Sequence, residues 1–500
     1  MKNKNVKGLY LILCLILFVV MFQYCAAQSF WHDELYQLGL VRKGISFQDI
    51  IKSYAQLWDY TPPLYALISA VWLRLVPFSD KWLLLPSEIF VVLGVYILAV
   101  TAEKAAGKRV GVLTAILGAT SSTLILNAGH EFRSYALFFM ASSLVLAAYL
   151  NCHERERAGE KTGETGNTGN IGETGKKYVL LGLTMIILAY SHYYGLLILF
   201  VLGVADLWLF IKKKRTVKFF IPYGMCAVCF IPWLAAVLSH HRTSMTTFWT
   251  EQPDFMTVIK TIRYLLSDNE LLWIVLIVGS VILCQAIFHF IRTREWSQEQ
   301  SLVCQLLFVV GAVFIGMYLY AAYINPRGGA FQDRYFIGLI PYLLLAVAIM
   351  CERLYLSFMK GKGVSFLVFT AVIFIYLASG SYLQTSEQAN KKREPYEQSI
   401  QVLKKKGDID KETTAVVVSD CTYVTSGYQY MFERRGKKVK VEIISQEDER
   451  FSEKLSRYDK LYVLSIHNEL LPKSVKLLEN SFERLYKDGR TGISAYKRKE

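Results

Sequence analysis

Four short stretches of this sequence carry ionisable side chains beside apolar runs in an arrangement that could do chemistry. Charge in such a position is costly unless it is used or paired. A carboxylate can take a proton from a hydroxyl group, and arginines can neutralise a departing phosphate. This combination suits group transfer from an anionic lipid carrier, where direct displacement at a sugar carbon needs a single base. The candidates are His32, Asp33 and Glu34; Glu131 and Arg133; His192, Tyr193 and Tyr194; and Arg327, Asp333 and Arg334.

Within this set, Asp33 or Glu34 is expected to be the base, because the pair directly follows the first apolar run. Other interpretations stay open. Arg133 has Glu131 as an alternative partner, Arg334 could cap a helix with Asp333, and His192 could be an interfacial histidine. Tyr135 is the aromatic residue we favour for the site. His32, Asp33, Glu34 and His192 have the ligand types of a divalent cation site, but no spacing demands one.

The elements that must position these residues are membrane helices. The chain has 500 residues, of which 53% are hydrophobic and 14% aromatic, with mean hydropathy +0.30. This is more apolar than the core of a soluble protein requires. The formal net charge of +15 does not indicate nucleic acid, because the basic residues separate apolar runs.

A helix of roughly 20 apolar residues crosses the ~30 Å hydrocarbon core of a bilayer. The sequence predicts about eleven such spans, an all-α polytopic bundle. They cover residues 8–27, 84–103, 110–128, 135–151, 178–191, 195–211, 218–238, 271–291, 302–324, 336–351 and 364–384.

The segment from Pro62 to Phe78 decides the topology, since counting it as a span would invert almost every basic loop. Without it, the basic clusters share one side with Lys2, Lys4 and Lys7, as the positive-inside rule requires. We therefore predict a cytosolic N-terminus and an outer loop over residues 28–83 that contains interfacial helices.

Two further regions differ in composition from the spans. Residues 152–177 include a Gly-Glu-Thr-Gly repeat and are predicted to be a disordered cytosolic loop. Residues 1–384 form the membrane domain, and residues 385–500 are expected to form a small extracytoplasmic α/β domain. Its predicted strands are Thr414 to Ser419, Lys438 to Ile444, Lys460 to Ile466 and Gly492 to Lys497, with a helix from Tyr423 to Arg434.

The motifs over residues 1–350 resemble glycosyltransferase family 39 and its bacterial relatives, which include protein O-mannosyltransferases and the lipid A aminoarabinose transferase. Thr61 replaces a histidine common in these relatives, and Leu84 replaces an arginine. The motifs are Asp33-Glu34, Thr61-Pro62-Pro63-Leu64-Tyr65, Leu85-Pro86-Ser87, Arg133-Ser134-Tyr135, His192-Tyr193-Tyr194-Gly195 and Asp333-Arg334-Tyr335.

This resemblance implies the type C glycosyltransferase fold and an inverting transfer from a polyprenyl- or dolichyl-phosphate sugar. It implies that Asp33 is the base, that Glu34 helps to position the acceptor or a cation, and that Arg133 and Arg334 line the phosphate region.

The expected function is thus a membrane hexosyl- or pentosyltransferase that acts on the outer side of the plasma membrane. Its acceptor is a lipid, a protein or a wall polymer, and membrane lipids surround it. Three alternatives remain: a transporter or flippase of lipid-linked sugars, a non-catalytic scaffold, and a ligase that moves a whole glycan from a diphosphate carrier. Transporters usually carry functional charge near mid-membrane in repeated halves, a pattern absent from this sequence.

Overall fold

Long helices and one small sheet make up the chain in a computed structural model. The structure describes residues 6–24, 30–56, 61–77, 79–162, 171–247, 252–293, 297–325, 330–359, 364–390, 396–406, 414–420, 424–433, 441–466, 469–489 and 492–499.

Within the described ranges, fifteen α-helices precede residue 391. They are α1 (Val6–Tyr24), α2 (His32–Val41), α3 (Phe47–Gln56), α4 (Leu64–Leu75), α5 (Asp80–Ala106), α6 (Lys108–Ala119), α7 (Tyr135–Thr162), α8 (Ile171–Ser191), α9 (Tyr193–Ile211), α10 (Ile221–Thr247), α11 (Phe255–Leu265), α12 (Glu270–Thr293), α13 (Gln298–Leu319), α14 (Ile340–Leu354) and α15 (Phe366–Asn390). Short π-helical segments lie at Leu124–Gly129, Tyr320–Ile324 and Tyr355–Met359, and 3-10 segments at Val217–Phe220 and Asp333–Leu339.

Eight helical segments in the described chain are long and apolar enough to cross a membrane, which confirms a multi-pass membrane protein. They contain or overlap the predicted spans that begin at residues 8, 84, 135, 195, 218, 302, 336 and 364. The predicted span 178–191 lies within α8, and 271–291 lies within α12, which forms a pair with α11 bent by 112°. The helix α14 is buried from Ile340 to Glu352 and packs against α6, α12 and α13.

One predicted span is wrong as a continuous helix. Residues 110–128 divide into α6, which ends at Ala119, and the π-helical segment that begins at Leu124. Four hydroxyl residues, Thr120 to Thr123, separate the two parts. Two of these side chains bond the backbone locally: Thr120 Oγ1 donates to the Ile116 oxygen at 2.8 Å, and Ser121 Oγ accepts from Leu124 N at 3.3 Å. Such bonds compete with a regular helix.

The segment from Pro62 to Phe78, on which the predicted topology depends, contains the 12-residue helix α4. At 1.5 Å per residue this helix is about 18 Å long, too short for the hydrocarbon core of about 30 Å. The length fits a helix that does not cross.

Helices extend into the predicted disordered loop from both sides. The helix α7 continues to Thr162 and α8 begins at Ile171, so residues 152–162 and 171–177 are helical where the sequence predicted disorder. The Glu, Arg, Lys and Ala residues of this region have high helix propensity, and their polarity misled the prediction. Residues 163–170 lie outside the described residues.

The chain forms two compact units. The first comprises residues 1–21, 54–65 and 87–385, and the second comprises residues 22–53, 66–86 and 386–500. Most of the predicted loop 28–83 thus belongs to the same unit as the C-terminal sheet, although the sequence had assigned it to the membrane domain.

The C-terminal sheet contains five strands in the order β2-β1-β3-β5-β4. The strands are β1 (Thr414–Val418), β2 (Val441–Ser445), β3 (Lys460–Leu464), β4 (Phe482–Asp488) and β5 (Ile493–Arg498), and the helices are α16 (Tyr396–Lys406), α17 (Thr425–Glu433), α18 (Phe451–Leu455) and α19 (Pro472–Ser481).

Strand β1 pairs in parallel with β2 and β3, whereas β5 is antiparallel to both β3 and β4. The core under the sheet includes Val417, Ile444 and Leu478. The α/β class and four strands are confirmed. Strand β4 escaped prediction because its middle residues are exposed and mostly polar, which is typical of an edge strand.

Candidate active site

The short turn between α8 and α9 places His192 in the centre of an aromatic cluster of the first unit. His192 has an extended backbone, and its Nδ1 accepts a hydrogen bond from Tyr194 N at 3.2 Å, which caps α9. Its ring stacks on Phe138 with centroids 4.9 Å apart. We call this group the His192 cluster; it comprises Arg133, Tyr135, Phe138, His192, Tyr194, Arg334 and Tyr335.

Two arginines from distant parts of the chain meet at this cluster. The guanidinium carbon of Arg334 lies 6.0 Å from the centroid of the Tyr135 ring. Burial, together with the charges of Arg133 and Arg334, lowers the pKa of His192 to about 3. His192 is therefore neutral and can exchange hydrogen bonds, while the arginines carry the positive charge of the cluster.

The turn that carries Arg133 is held by residues of two motifs. Ser87 Oγ donates to the backbone oxygen of Glu131 at 3.1 Å, and the Tyr65 and Ser87 hydroxyls lie 2.8 Å apart. The Tyr65 ring packs edge-on against Phe132 at 5.8 Å. The motifs Thr61 to Tyr65 and Leu85 to Ser87 thus fix the backbone next to Arg133.

A close crossing with α7 positions Arg334, which belongs to the 3-10 segment Asp333–Leu339. A Cβ at Gly338 would lie 2.1 Å from Phe138 Cζ, so the glycine leaves the room that the Phe138 ring occupies. Ser142 Oγ donates to the Gly338 oxygen at 2.6 Å. Asp333 accepts a hydrogen bond from Thr261 Oγ1 on α11. The carboxylate of Asp333 therefore attaches α11 to this segment.

The acidic pair lies in the second unit, at the start of α2. Glu34 Oε2 accepts a hydrogen bond from Trp31 N at 3.1 Å, and this residue is only 2% exposed. Its carboxylate therefore caps the helix. Asp33 is half-buried on the same first turn. Of the two acids, Asp33 is the more accessible.

Of the seven site residues predicted from the sequence, the structure brings five together in the first unit: Arg133, Tyr135, His192, Asp333 and Arg334. Asp33 and Glu34 belong to the second unit. Among the residues described, no group of three or more His, Cys, Asp or Glu side chains could hold a metal ion. Arg327 lies outside the described residues.

Sequence reasoning missed several neighbours of the cluster. Phe138 follows Tyr135 by three positions on α7 and so shares its helix face, a signal that could have identified it. Tyr264 on α11 interacts electrostatically with Glu131, Asp333 and Arg334. No motif marks Tyr264, because its place depends on the bend between α11 and α12.

Solved structures of known proteins share this architecture. ArnT from Cupriavidus metallidurans in the apo state is similar with a TM-score of 0.58 and 11% identity, over 98% of this chain and 97% of that one. ArnT from the same organism bound to undecaprenyl phosphate gives a TM-score of 0.57 and 11% identity, over 98% of both chains. The oligosaccharyltransferase of Archaeoglobus fulgidus gives a TM-score of 0.48 and 10% identity, over 87% of this chain and 64% of that one.

No family model matches the sequence, and no curated protein sequence matches it significantly. At 11% identity the structural similarity establishes the fold. The chain has the type C glycosyltransferase fold that the motif resemblance implied.

Proposed function

We propose that this membrane protein, which has the type C glycosyltransferase fold, transfers a sugar from a polyprenyl-phosphate carrier to an acceptor hydroxyl or amine. One observation carries this proposal: Arg133 and Arg334, separated by about 200 residues, lie at one buried aromatic cluster beside a neutral histidine. Arginines in such a setting suit a phosphate, which they bind with charge-assisted hydrogen bonds. The similar ArnT structure bound to undecaprenyl phosphate supports a lipid of this class.

In the proposed reaction, Asp33 accepts the proton of the acceptor group as that group attacks the anomeric carbon of the sugar. A bond forms between the acceptor and this carbon, and the bond from the carbon to the phosphate oxygen breaks. The electron pair leaves with the phosphate, where Arg133 and Arg334 stabilise the charge. The attack from the opposite face inverts the anomeric configuration, and no covalent sugar-enzyme intermediate is needed.

The remaining residues have supporting roles in this proposal. Tyr135 and His192 shape the phosphate region, and Asp333 holds the segment that precedes Arg334. Glu34 keeps the first turn of α2 intact. The reaction takes place on the outer side of the plasma membrane, with the N-terminus in the cytosol and the C-terminal sheet outside. The acceptor is a lipid, a protein or a wall polymer.

Turnover in liposomes tests the proposal. The full-length protein is reconstituted with undecaprenyl-phosphate hexoses and pentoses and an envelope extract as acceptor, and release of undecaprenyl phosphate is measured. The variant Asp33→Asn should lose about 10²- to 10⁴-fold in turnover, because the base is absent. Its melting temperature and its affinity for undecaprenyl phosphate should stay at the wild-type values.

A matched control is Asp49→Asn. Asp49 is an exposed aspartate of the same unit, bonded to Ser46 at 2.6 Å, and its removal should leave turnover unchanged. If Asp33→Asn retains full turnover, the base assignment is rejected. If the wild type only moves the lipid-linked sugar across the bilayer, the protein is a flippase.

A further inference from the structure

The C-terminal sheet has the strand order that creates a ligand crevice. Strand β1 lies between β2 and β3 and is parallel to both, so the chain leaves β1 towards one side and later returns to the other. Open sheets of this kind bind ligands beyond the carboxyl ends of the strands, at the point where the order reverses. The residues at this edge are buried and polar: Ser419 and Asp420 after β1, Ser445 at the end of β2, and Gln446.

The helix α2 lies beside this edge, where it packs against α17, the helix that follows β1. The two helices are in close contact at Gly427, where a Cβ would lie 2.5 Å from the carbonyl oxygen of Leu35. Any side chain at position 427 would therefore displace α2. Both helices belong to the second compact unit.

A polar contact joins the sheet to the start of α2. His32 Nδ1 lies 3.5 Å from Asp420 Oδ1, and the aspartate side chain is fully buried. On its other side, Asp420 Oδ2 accepts a hydrogen bond from the Tyr428 hydroxyl at 2.5 Å. The pKa of Tyr428 is raised well above its usual value, mainly by burial and then by Tyr396 and Asp420, so this hydroxyl remains a donor.

The backbone of Asp420 is fixed as well. Ser445 Oγ donates to the Asp420 carbonyl oxygen at 2.8 Å, and Ser419 N donates to the Leu464 oxygen of β3 at 3.1 Å. The backbone at Ser419 and Asp420 is thus bonded to residues of β2 and β3, while the Asp420 carboxylate presents one oxygen to Tyr428 and the other to His32. A buried carboxylate held in this way has a single orientation, which it imposes on its partner.

We propose that the C-terminal sheet is a clamp for the helix that carries the catalytic base, in which Asp420, acting through His32, is a positioning residue for Asp33. His32 is the first residue of α2 and Asp33 the second, so a fixed imidazole fixes the turn on which the base lies. The helix α2 thus lies at the edge where open sheets with this strand order usually bind a ligand.

This inference rests on the proposed function, because it assumes that Asp33 is the base. It predicts an effect on the chemical step rather than on donor binding. A base displaced by about 1 Å can cost about a hundredfold in rate. An interaction that acts only in the transition state lowers kcat and leaves KM unchanged.

The test uses the full-length protein and the donor of the liposome panel that turns over fastest. Asp420→Asn should lower kcat by about tenfold to a hundredfold and leave the donor KM within about twofold. His32→Gln should have the same effect, and the double variant should be no worse than either single variant, because both remove one contact. The matched control is Asp448→Asn, an aspartate of the same unit that pairs with Lys454 at 2.5 Å; its kcat should be unchanged.

A second measurement is independent of turnover. Amide hydrogen exchange in α2 should become faster in Asp420→Asn and in His32→Gln, whereas exchange in β1 and β3 should match the wild type. Tyr428→Phe removes the hydrogen bond to Oδ2 but keeps the Asp420 carboxylate, so it should show a smaller change in α2 than Asp420→Asn.

The outcomes separate this inference from the proposed function. If Asp33→Asn is inactive while Asp420→Asn behaves like Asp448→Asn, the clamp is rejected and the function stands. Faster exchange throughout β1 and β3 in Asp420→Asn would also overturn the inference, because the residue would then be structural. If Asp33→Asn is active, the proposed function is rejected. If amide exchange in α2 is also unchanged in His32→Gln, the clamp is rejected as well.

Discussion

The helices α7 and α9 each have buried polar residues at two levels, one at the start of the helix and one about fourteen residues further along, and the two levels are bonded differently. Asp206 of α9 is fully buried and accepts hydrogen bonds from Tyr149, Tyr223 and Arg215 at 2.7, 2.7 and 3.0 Å. Tyr149 lies on α7 fourteen residues after Tyr135, about 21 Å along the helix. These four residues form the Asp206 cluster. It lies further along α7 and α9, whereas the His192 cluster lies at the start of both helices.

In the Asp206 cluster the side chains bond one another, so that a carboxylate and a guanidinium satisfy each other inside the protein. At the His192 cluster, two hydrogen bonds run from side chains to the backbone: Tyr194 of the cluster donates to the Ala330 oxygen, and the neighbouring Ser87 donates to the Glu131 oxygen. These bonds fix the path of the chain next to the two arginines. We propose that the Asp206 cluster is structural and that the His192 cluster binds the donor phosphate.

The largest expected effect is on stability at the Asp206 cluster. Arg215→Met leaves the Asp206 carboxylate buried without its cation, which typically costs about 3–5 kcal/mol. The melting temperature in detergent should fall sharply, while the folded fraction binds undecaprenyl phosphate as the wild type does. Arg109→Met is the control, because Arg109 is 43% exposed where it pairs with Glu352 and such pairs contribute little. An unchanged melting temperature for Arg215→Met would remove the contrast between the clusters.

At the His192 cluster we expect substitutions to weaken ligand binding while changing stability little. Arg133→Gln and Arg334→Gln should each weaken binding of undecaprenyl phosphate by about tenfold to a hundredfold, because a hydrogen bond to a charged group contributes about 1.5–3 kcal/mol. Native mass spectrometry or thermophoresis can measure this affinity. The melting temperatures should change much less than that of Arg215→Met. Variants that melt early and bind normally would show that these arginines are structural.

A smaller effect is expected from the serine that holds the Glu131 backbone. Ser87→Ala removes the hydrogen bond to the Glu131 oxygen, with a typical net contribution of about 1 kcal/mol, together with the contact to the Tyr65 hydroxyl, so affinity for undecaprenyl phosphate should fall by about tenfold at most. Ser143→Ala is the control, since Ser143 is equally buried but bonds only the Phe139 oxygen within its own helix, at 3.0 Å. Equal affinities for the two variants would show that the turn does not depend on Ser87.

The smallest effect is the pH dependence caused by His192. Its pKa is about 3 in the folded protein and about 6.5 without burial. Below pH 6.5 the unfolded chain takes up a proton that the folded protein does not, so acidification from pH 7 to pH 5 should reduce stability, by at most about 1.4 kcal/mol per pH unit. The variant His192→Gln should show a weaker decrease in melting temperature over this range. Identical decreases would mean that His192 is protonated in the folded protein.

The sequence predicted the membrane class, most of the helices, the type C fold and five residues that meet in the first unit. Apolar runs of about 20 residues determine helices in lipid, so this part required no tertiary information. The prediction was wrong where polar side chains bond locally. The hydroxyl run at Thr120 to Thr123 ends α6, a competition that hydropathy does not represent.

The roles within the acidic pair were not predictable from composition. Glu34 and Asp33 are adjacent and chemically similar, and only the geometry of α2 shows that Glu34 accepts the Trp31 amide. The contact between His32 and Asp420 joins residues almost 400 positions apart, with no motif at Asp420. Such pairs depend on tertiary packing.

A structure of the full-length protein with bound undecaprenyl phosphate tests the central claim most directly. The phosphate should lie at hydrogen-bond distance, about 2.7–2.9 Å, from a guanidinium nitrogen of Arg133 or Arg334, against the ring of Tyr135 or His192. A phosphate bound elsewhere, with neither arginine in contact, would contradict the assignment of the His192 cluster as the donor site.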